Sequence, residues 1–158
     1  MQLIRIWFDG GSLGNPGKGY GSYKIDGGPQ LQHEARRIQF GDFLTNNQAE
    51  YLALIAALKW LLHNRPDGDH RLEIWTDSML VKCQVPFPFQ GRIGGPNPSW
   101  RCKVAHLREL RDEVRNLSFG IPALRTQVES EESECRAFRA LTPIKQDSPL
   151  QGNLRCLE

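Results

Sequence analysis

Residues 45–64, TNNQAEYLALIAALKWLLHN, constrain this chain more than any other stretch. Thr45 and Gln48 have the spacing of a capping box, in which each residue satisfies the other's otherwise unpaired backbone donor. The residues behind them are strong helix formers, and Pro66-Asp67-Gly68 stops the run. Apolar side chains occupy most sides of this helix, so it has to be largely buried. The rest of the chain must supply the cover.

Strand-like segments surround it. Residues 3–8 (LIRIWF) form a short β-prone run that the Gly-rich stretch 10–21 ends. Residues 20–25 and 31–40 read as two further strands, and the connector Asp26-Gly27-Gly28-Pro29 suits a hairpin. An antiparallel meander is therefore expected. After the helix, residues 72–76 (LEIWT) form another strand, and 78–85 a short helix halted by Pro86 and Pro88. Strand–helix–strand order implies a right-handed crossover, hence a parallel portion of sheet. Residues 86–99 form a Pro- and Gly-rich loop. Residues 101–117 make a second helical segment, with Val104, Leu107, Leu110, Val114 and Leu117 three and four apart. A strand over 118–128 is weakened by Gly120 and Pro122. A last helix near 129–141 is expected, then a poorly ordered tail over 142–158, so the domain is expected to span 1–141.

Composition narrows the function classes. The chain has 158 residues, one domain's length, with 39% hydrophobic and 24% charged residues, which excludes disorder and fibrous repeats. The formal net charge is +2 and neither half is markedly basic, so charge alone announces no nucleic-acid partner. No apolar run approaches the ~18 residues of a membrane span, so no membrane partner is expected. Cys83, Cys102, Cys135 and Cys156 lack zinc-finger spacing. With no signal-peptide pattern at the N-terminus, a reduced cytoplasmic setting is expected.

Chemistry concentrates in three acids. Asp9 ends the first strand, Glu50 lies in the second turn of the capped helix, and Asp77 ends LEIWT. Sites in open α/β sheets collect outside strand ends, and Asp9 and Asp77 share one edge if their strands are neighbours. Glu50 interrupts a face otherwise made of Tyr51, Leu54, Ala57 and Leu58, and a carboxylate there needs something to offset its desolvation. A divalent cation shared by the three would do so, and oxygen-only donors suit Mg²⁺ or Mn²⁺ rather than Zn²⁺. Taken singly, each acid reads as a turn residue or an ordinary helix N-terminal acid. The loop 9–17 is not a Walker A sequence, because Gly19 follows Lys18 where Ser or Thr is required.

Taken in order, D-G-G-S-x-G-N-P-G, T-N-N-x-A-E-Y and T-D-S-x-L-V resemble type 1 ribonuclease H in its compact bacterial and archaeal form. The likeness covers residues 1–85 by motif and 101–117 by helical pattern. It implies an α/β, three-layer RNase H-like fold, a mixed five-stranded sheet flanked by helices. It implies a monomeric endonuclease that cleaves the RNA strand of RNA–DNA hybrids, leaving 5′-phosphate and 3′-hydroxyl ends, with two Mg²⁺ or Mn²⁺ ions per site. Asp9, Glu50 and Asp77 fall on three of that family's four metal-binding acids. Gly10, Gly11, Ser12, Asn15, Asn46 and Asn47 (or Gln48) fall on positions that meet the hybrid. The chemistry is compatible: two metals activate water and stabilise a leaving oxygen, while Asn amides can read the 2′-hydroxyl that marks RNA. Glycines at 10 and 11 let backbone approach a sugar–phosphate closely.

The resemblance fails toward the C-terminus. Nothing after Leu117 matches the fourth acid's pattern, and the histidine that precedes that helix in the family is missing. Glu134 is the nearest candidate for the fourth place, and its substitution is expected to be silent. Arg101, Lys103, Arg108, Arg111 and Arg115 could form a modest basic face or simply solvated charge interleaved with Glu109, Asp112 and Glu113. The alternative reading is a catalytically impaired module of the same fold that binds hybrid or a protein partner. An actin-like phosphate loop is disfavoured, because 158 residues cannot supply two lobes.

Overall fold

The structure, a computed structural model, describes residues 2–65, 67–68, 70–85, 101–121 and 126–129. Glu134 and the expected tail over 142–158 lie outside the described residues, as does the loop at 86–99. The elements are β1 (Gln2–Leu13), β2 (Gly17–Asp26), β3 (Gln32–Leu44), α1 (Asn46–Asn64), β4 (His70–Trp75), α2 (Met79–Gln84), α3 (Ala105–Phe119) and β5 (Thr126–Glu129). Strands lie side by side in the order β3-β2-β1-β4-β5. The β1–β2 and β2–β3 pairs are antiparallel, the expected meander. β4 runs parallel to β1, and β5 parallel to β4. The sheet is therefore mixed and carries helices, in the α/β class expected.

Side-chain alternation explains which face is covered. Ile4, Ile6 and Phe8 of β1, Tyr23 and Ile25 of β2, and Leu72 and Ile74 of β4 are buried in one cluster with α1. α1 contributes Tyr51, Leu54, Ala57, Leu58 and Leu61, all fully buried, as its apolar sequence requires. Its start is the expected capping box: Thr45 Oγ1 accepts from the Gln48 N–H and Gln48 Oε1 accepts from the Thr45 N–H, at 3.2 and 2.8 Å. α3 packs its Leu107 and Val114 into the same core, and Lys59 of α1 bridges Glu113 of α3 at 2.7 Å. α3 begins at Ala105 rather than at 101, and Val104 at its N-cap offers no side-chain acceptor.

One expectation needs correction. Asp9 does not end β1, because the strand runs on through Gly10 and Gly11 to Leu13, paired with β2 as far as Leu13↔Lys18. Glycine weakens strands in general, but here the antiparallel ladder with β2 carries the backbone through. Only the parallel pairing with β4 stops near Asp9.

Candidate active site

The β1–β4 ladder ends at Trp7↔Trp75. Asp9 and Asp77 each follow that last pair by two residues, on strands whose neighbours lie about 4.8 Å apart. They therefore share one sheet edge, as their expected adjacency required. Asp9 is 3% exposed and in register with Ser22 of β2, while Asp77 is half-buried between β4 and α2.

Glu50 reaches this edge because of a glycine. A Cβ on Gly10 would lie 2.3 Å from the carbonyl carbon and oxygen of Ala49 and 2.4 Å from the Glu50 nitrogen. Only a residue without a side chain lets β1 and the first turns of α1 come so close. The glycine next to Asp9 thus brings Glu50 beside the strand. Glu50 Oε2 then accepts a hydrogen bond from the Ser78 hydroxyl. Ser78 directly follows Asp77, so that bond ties the second acid to the segment that carries the third.

Ser78 carries only a local signal in the sequence, its place before an apolar helical run, which marks an N-cap. Its Oγ accepts from the Val81 N–H at 3.3 Å, capping α2 while donating to Glu50. Ser78→Ala is expected to lower stability by about 1 kcal/mol through loss of the cap. Urea denaturation checks this through a reduced midpoint at unchanged slope.

Polar residues at the end of β1 and in the loop after it lock onto α1. Asn46 Oδ1 accepts from the Ser12 N–H at 2.7 Å and from the Ser12 hydroxyl at 3.3 Å. Asn15 Oδ1 accepts from the Asn46 N–H at 3.0 Å. Backbone N–H groups can only donate, so both amides are fixed with oxygen inward. What Asn15 and Asn46 present outward is the NH₂ donor. An amide offers a donor and an acceptor alike, and the fold uses the acceptors. Gln48 has its carbonyl committed to the cap, and Asn47 lies half-buried beside it. Gly11 is buried, opposite Tyr20.

Behind the edge, the Tyr51 hydroxyl donates to Gln84 Oε1 at 3.0 Å within the core. Burial pushes the Tyr51 phenol well above its ordinary range, which favours the protonated, donating form. Among the described residues, no three His, Cys, Asp or Glu side chains stand close enough together to hold a metal ion. Asp9, Glu50 and Asp77 reach one edge without closing into such a group. The donor chemistry nevertheless fits a hard divalent cation: carboxylates and a hydroxyl, with no nitrogen or sulfur ligand among them. No helix among the described residues is long and apolar enough to cross a membrane.

Residues 2–86 match the family model for RNase H. The chain belongs to the RNase H family. It is 40% identical over 86 residues to Ribonuclease HI of Helicobacter pylori, a match covering 54% of this chain and 53% of that protein. It is 39% identical over 82 residues to Ribonuclease H of Pseudoalteromonas translucida, covering 51% and 47%. The matches to these curated RNase H relatives thus span about half of their length. Among solved structures, RNase H1 from the halophilic archaeon Halobacterium salinarum superposes with a TM-score of 0.57 at 28% identity, covering 83% of this chain and 88% of that one. LC11-RNase H1 in complex with an RNA/DNA hybrid superposes with a TM-score of 0.57 at 26% identity, covering 84% and 89%. The RNase H motifs and the geometry just described occupy the same segment, from β1 to α2.

Proposed function

We propose that this chain hydrolyses the RNA strand of RNA–DNA hybrids with divalent cations, leaving 5′-phosphate and 3′-hydroxyl ends. The observation that carries the reading is the close approach at Gly10, which sets Glu50 beside Asp9 at the edge where Asp77 leaves β4. Asp9, Glu50 and Asp77 would hold two Mg²⁺ or Mn²⁺ ions. Such cations, when bound, supply Lewis-acid stabilisation of the charge that develops on the phosphate and leaving oxygens. The chain's own groups do the rest. The outward NH₂ groups of Asn15 and Asn46 donate to acceptors along the hybrid, the RNA 2′-oxygen among them. Ser78 orients the Glu50 carboxylate. Gly10 lets α1 close onto β1, which keeps Glu50 at this edge. The hybrid complex of LC11-RNase H1 and the names of the RNase H relatives support this reading.

The test is cleavage of an end-labelled hybrid, compared with DNA duplex and double-stranded RNA of the same sequence. RNA-strand cleavage of the hybrid alone, dependent on Mg²⁺ or Mn²⁺, is expected. Binding of hybrid without cleavage would favour the impaired module instead. Millimolar Mg²⁺ is also expected to raise the melting temperature, because a ligand bound only by the folded state stabilises it. An unmoved melting temperature would argue against a carboxylate-held cation.

A further inference from the structure

We propose that the buried hydrogen bond between Tyr51 and Gln84 is a positioning device for the site, holding α2 in the register that keeps Ser78 on Glu50 and Asp77 beside Asp9. The proposal rests on the cation-dependent reading above. Tyr51 and Gln84 are positioning residues in it, since neither is placed to touch substrate or cation.

The argument starts from the length of α2. It has six residues, Met79 to Gln84. Helices shorter than about 12 residues are marginal on their own, so α2 owes its position to what it packs against. Its apolar attachments are Val81, 1% exposed, Val85, the fully buried C-cap, and Leu80, partly buried against the same core. Apolar packing is non-directional and by itself fixes neither rotation nor slide. Two side-chain hydrogen bonds lead from this segment to α1. At the N-terminus Ser78 donates to Glu50, and at the C-terminus Gln84 accepts from Tyr51. Glu50 and Tyr51 are consecutive, so one point on α1 grips both ends of α2. A hydrogen bond tolerates only a narrow span of distance and angle, which sets a register where packing alone does not. Tyr51 is 0% exposed and Gln84 6%, so water cannot replace either partner. These two bonds flank the segment that leaves Asp77, one at its start and one a helix-length on.

The experiment uses the full chain with Tyr51→Phe, Gln84→Met and the double substitution. It reads two quantities: the Mg²⁺ concentration for half-maximal hybrid cleavage, and the Mg²⁺ concentration for half of the melting-temperature rise. Each single substitution is expected to raise both by about tenfold, the scale of one hydrogen bond, with KM for the hybrid within about twofold of the unsubstituted chain. Either single substitution also leaves a buried polar group without its partner and lowers the metal-free melting temperature. In the double variant both sites are apolar, so that loss is expected to be regained while the raised Mg²⁺ requirement persists. If the double variant regains both, the pair serves packing alone and the proposal is overturned. Single variants with an unchanged Mg²⁺ requirement overturn it as well. Should the unsubstituted chain take up Mg²⁺ without cleaving hybrid, the functional reading falls while the melting-temperature titration still decides this one. A chain whose melting temperature ignores Mg²⁺ overturns both.

Discussion

Asp9→Asn is expected to abolish hybrid cleavage while leaving the protein folded. Asn matches Asp in volume, and the residue is 3% exposed in the middle of a paired strand, so the backbone ladder from Phe8↔Tyr23 to Gly10↔Gly21 is untouched. What disappears is a negative charge at the edge shared with Asp77. Losing a partner that merely orients a metal ligand costs about 10–100-fold, so losing a ligand's own charge should cost more than about a hundredfold. The metal-free protein should lose no stability, since removing a buried charge removes its desolvation cost. Its melting temperature should no longer rise with Mg²⁺. Near-normal cleavage by the variant would show that Asp9 does not serve the site.

Gly10→Ala should be worse for the fold than for any single contact. The new methyl would stand 2.3 Å from backbone atoms of Ala49, which cannot rotate aside as a side chain can. Overpacking of this kind costs about 1–3 kcal/mol, and relief requires the first turns of α1 to move away from β1. That movement carries Glu50 and Asn46 with it, so both stability and cleavage are expected to fall together. Gly41→Ala is the control, because its nearest contact would be the Leu44 side chain at 3.4 Å, an ordinary packing distance. A Gly10→Ala protein with a normal urea midpoint and normal cleavage would remove the close approach from the account.

How much of this was readable in the sequence depends on the range of the interaction. The Thr45–Gln48 box is local and was legible to the residue, as was the buried character of the helix behind it. The shared edge of Asp9 and Asp77 followed from strand order. Contacts between residues far apart in the chain were less accessible. Gly10 reads locally as a strand breaker and as room for a ligand, whereas its absent side chain admits α1, 39 residues on at Ala49. A glycine inside a strand pattern can equally mark close backbone approach, and that was the signal available. The orientation of the Asn15 and Asn46 amides was illegible, since it depends on which backbone N–H groups folding places opposite them. Ser78 carried a local signal as a cap, but its bond to Glu50 spans 28 positions and no spacing announces it.

The Ser12–Asn46–Asn15 linkage has a thermodynamic consequence for whatever docks at this edge. A free surface asparagine samples several rotamers, and a ligand that captures its amide must halt that sampling, at about 0.5–1.5 kcal/mol per side chain. Here the halting is done during folding, by hydrogen bonds of 2.7 and 3.0 Å that join the end of β1 and the loop after it to the first turn of α1. A docking strand therefore meets two donors already at rest, and the ordering of those side chains no longer counts against binding.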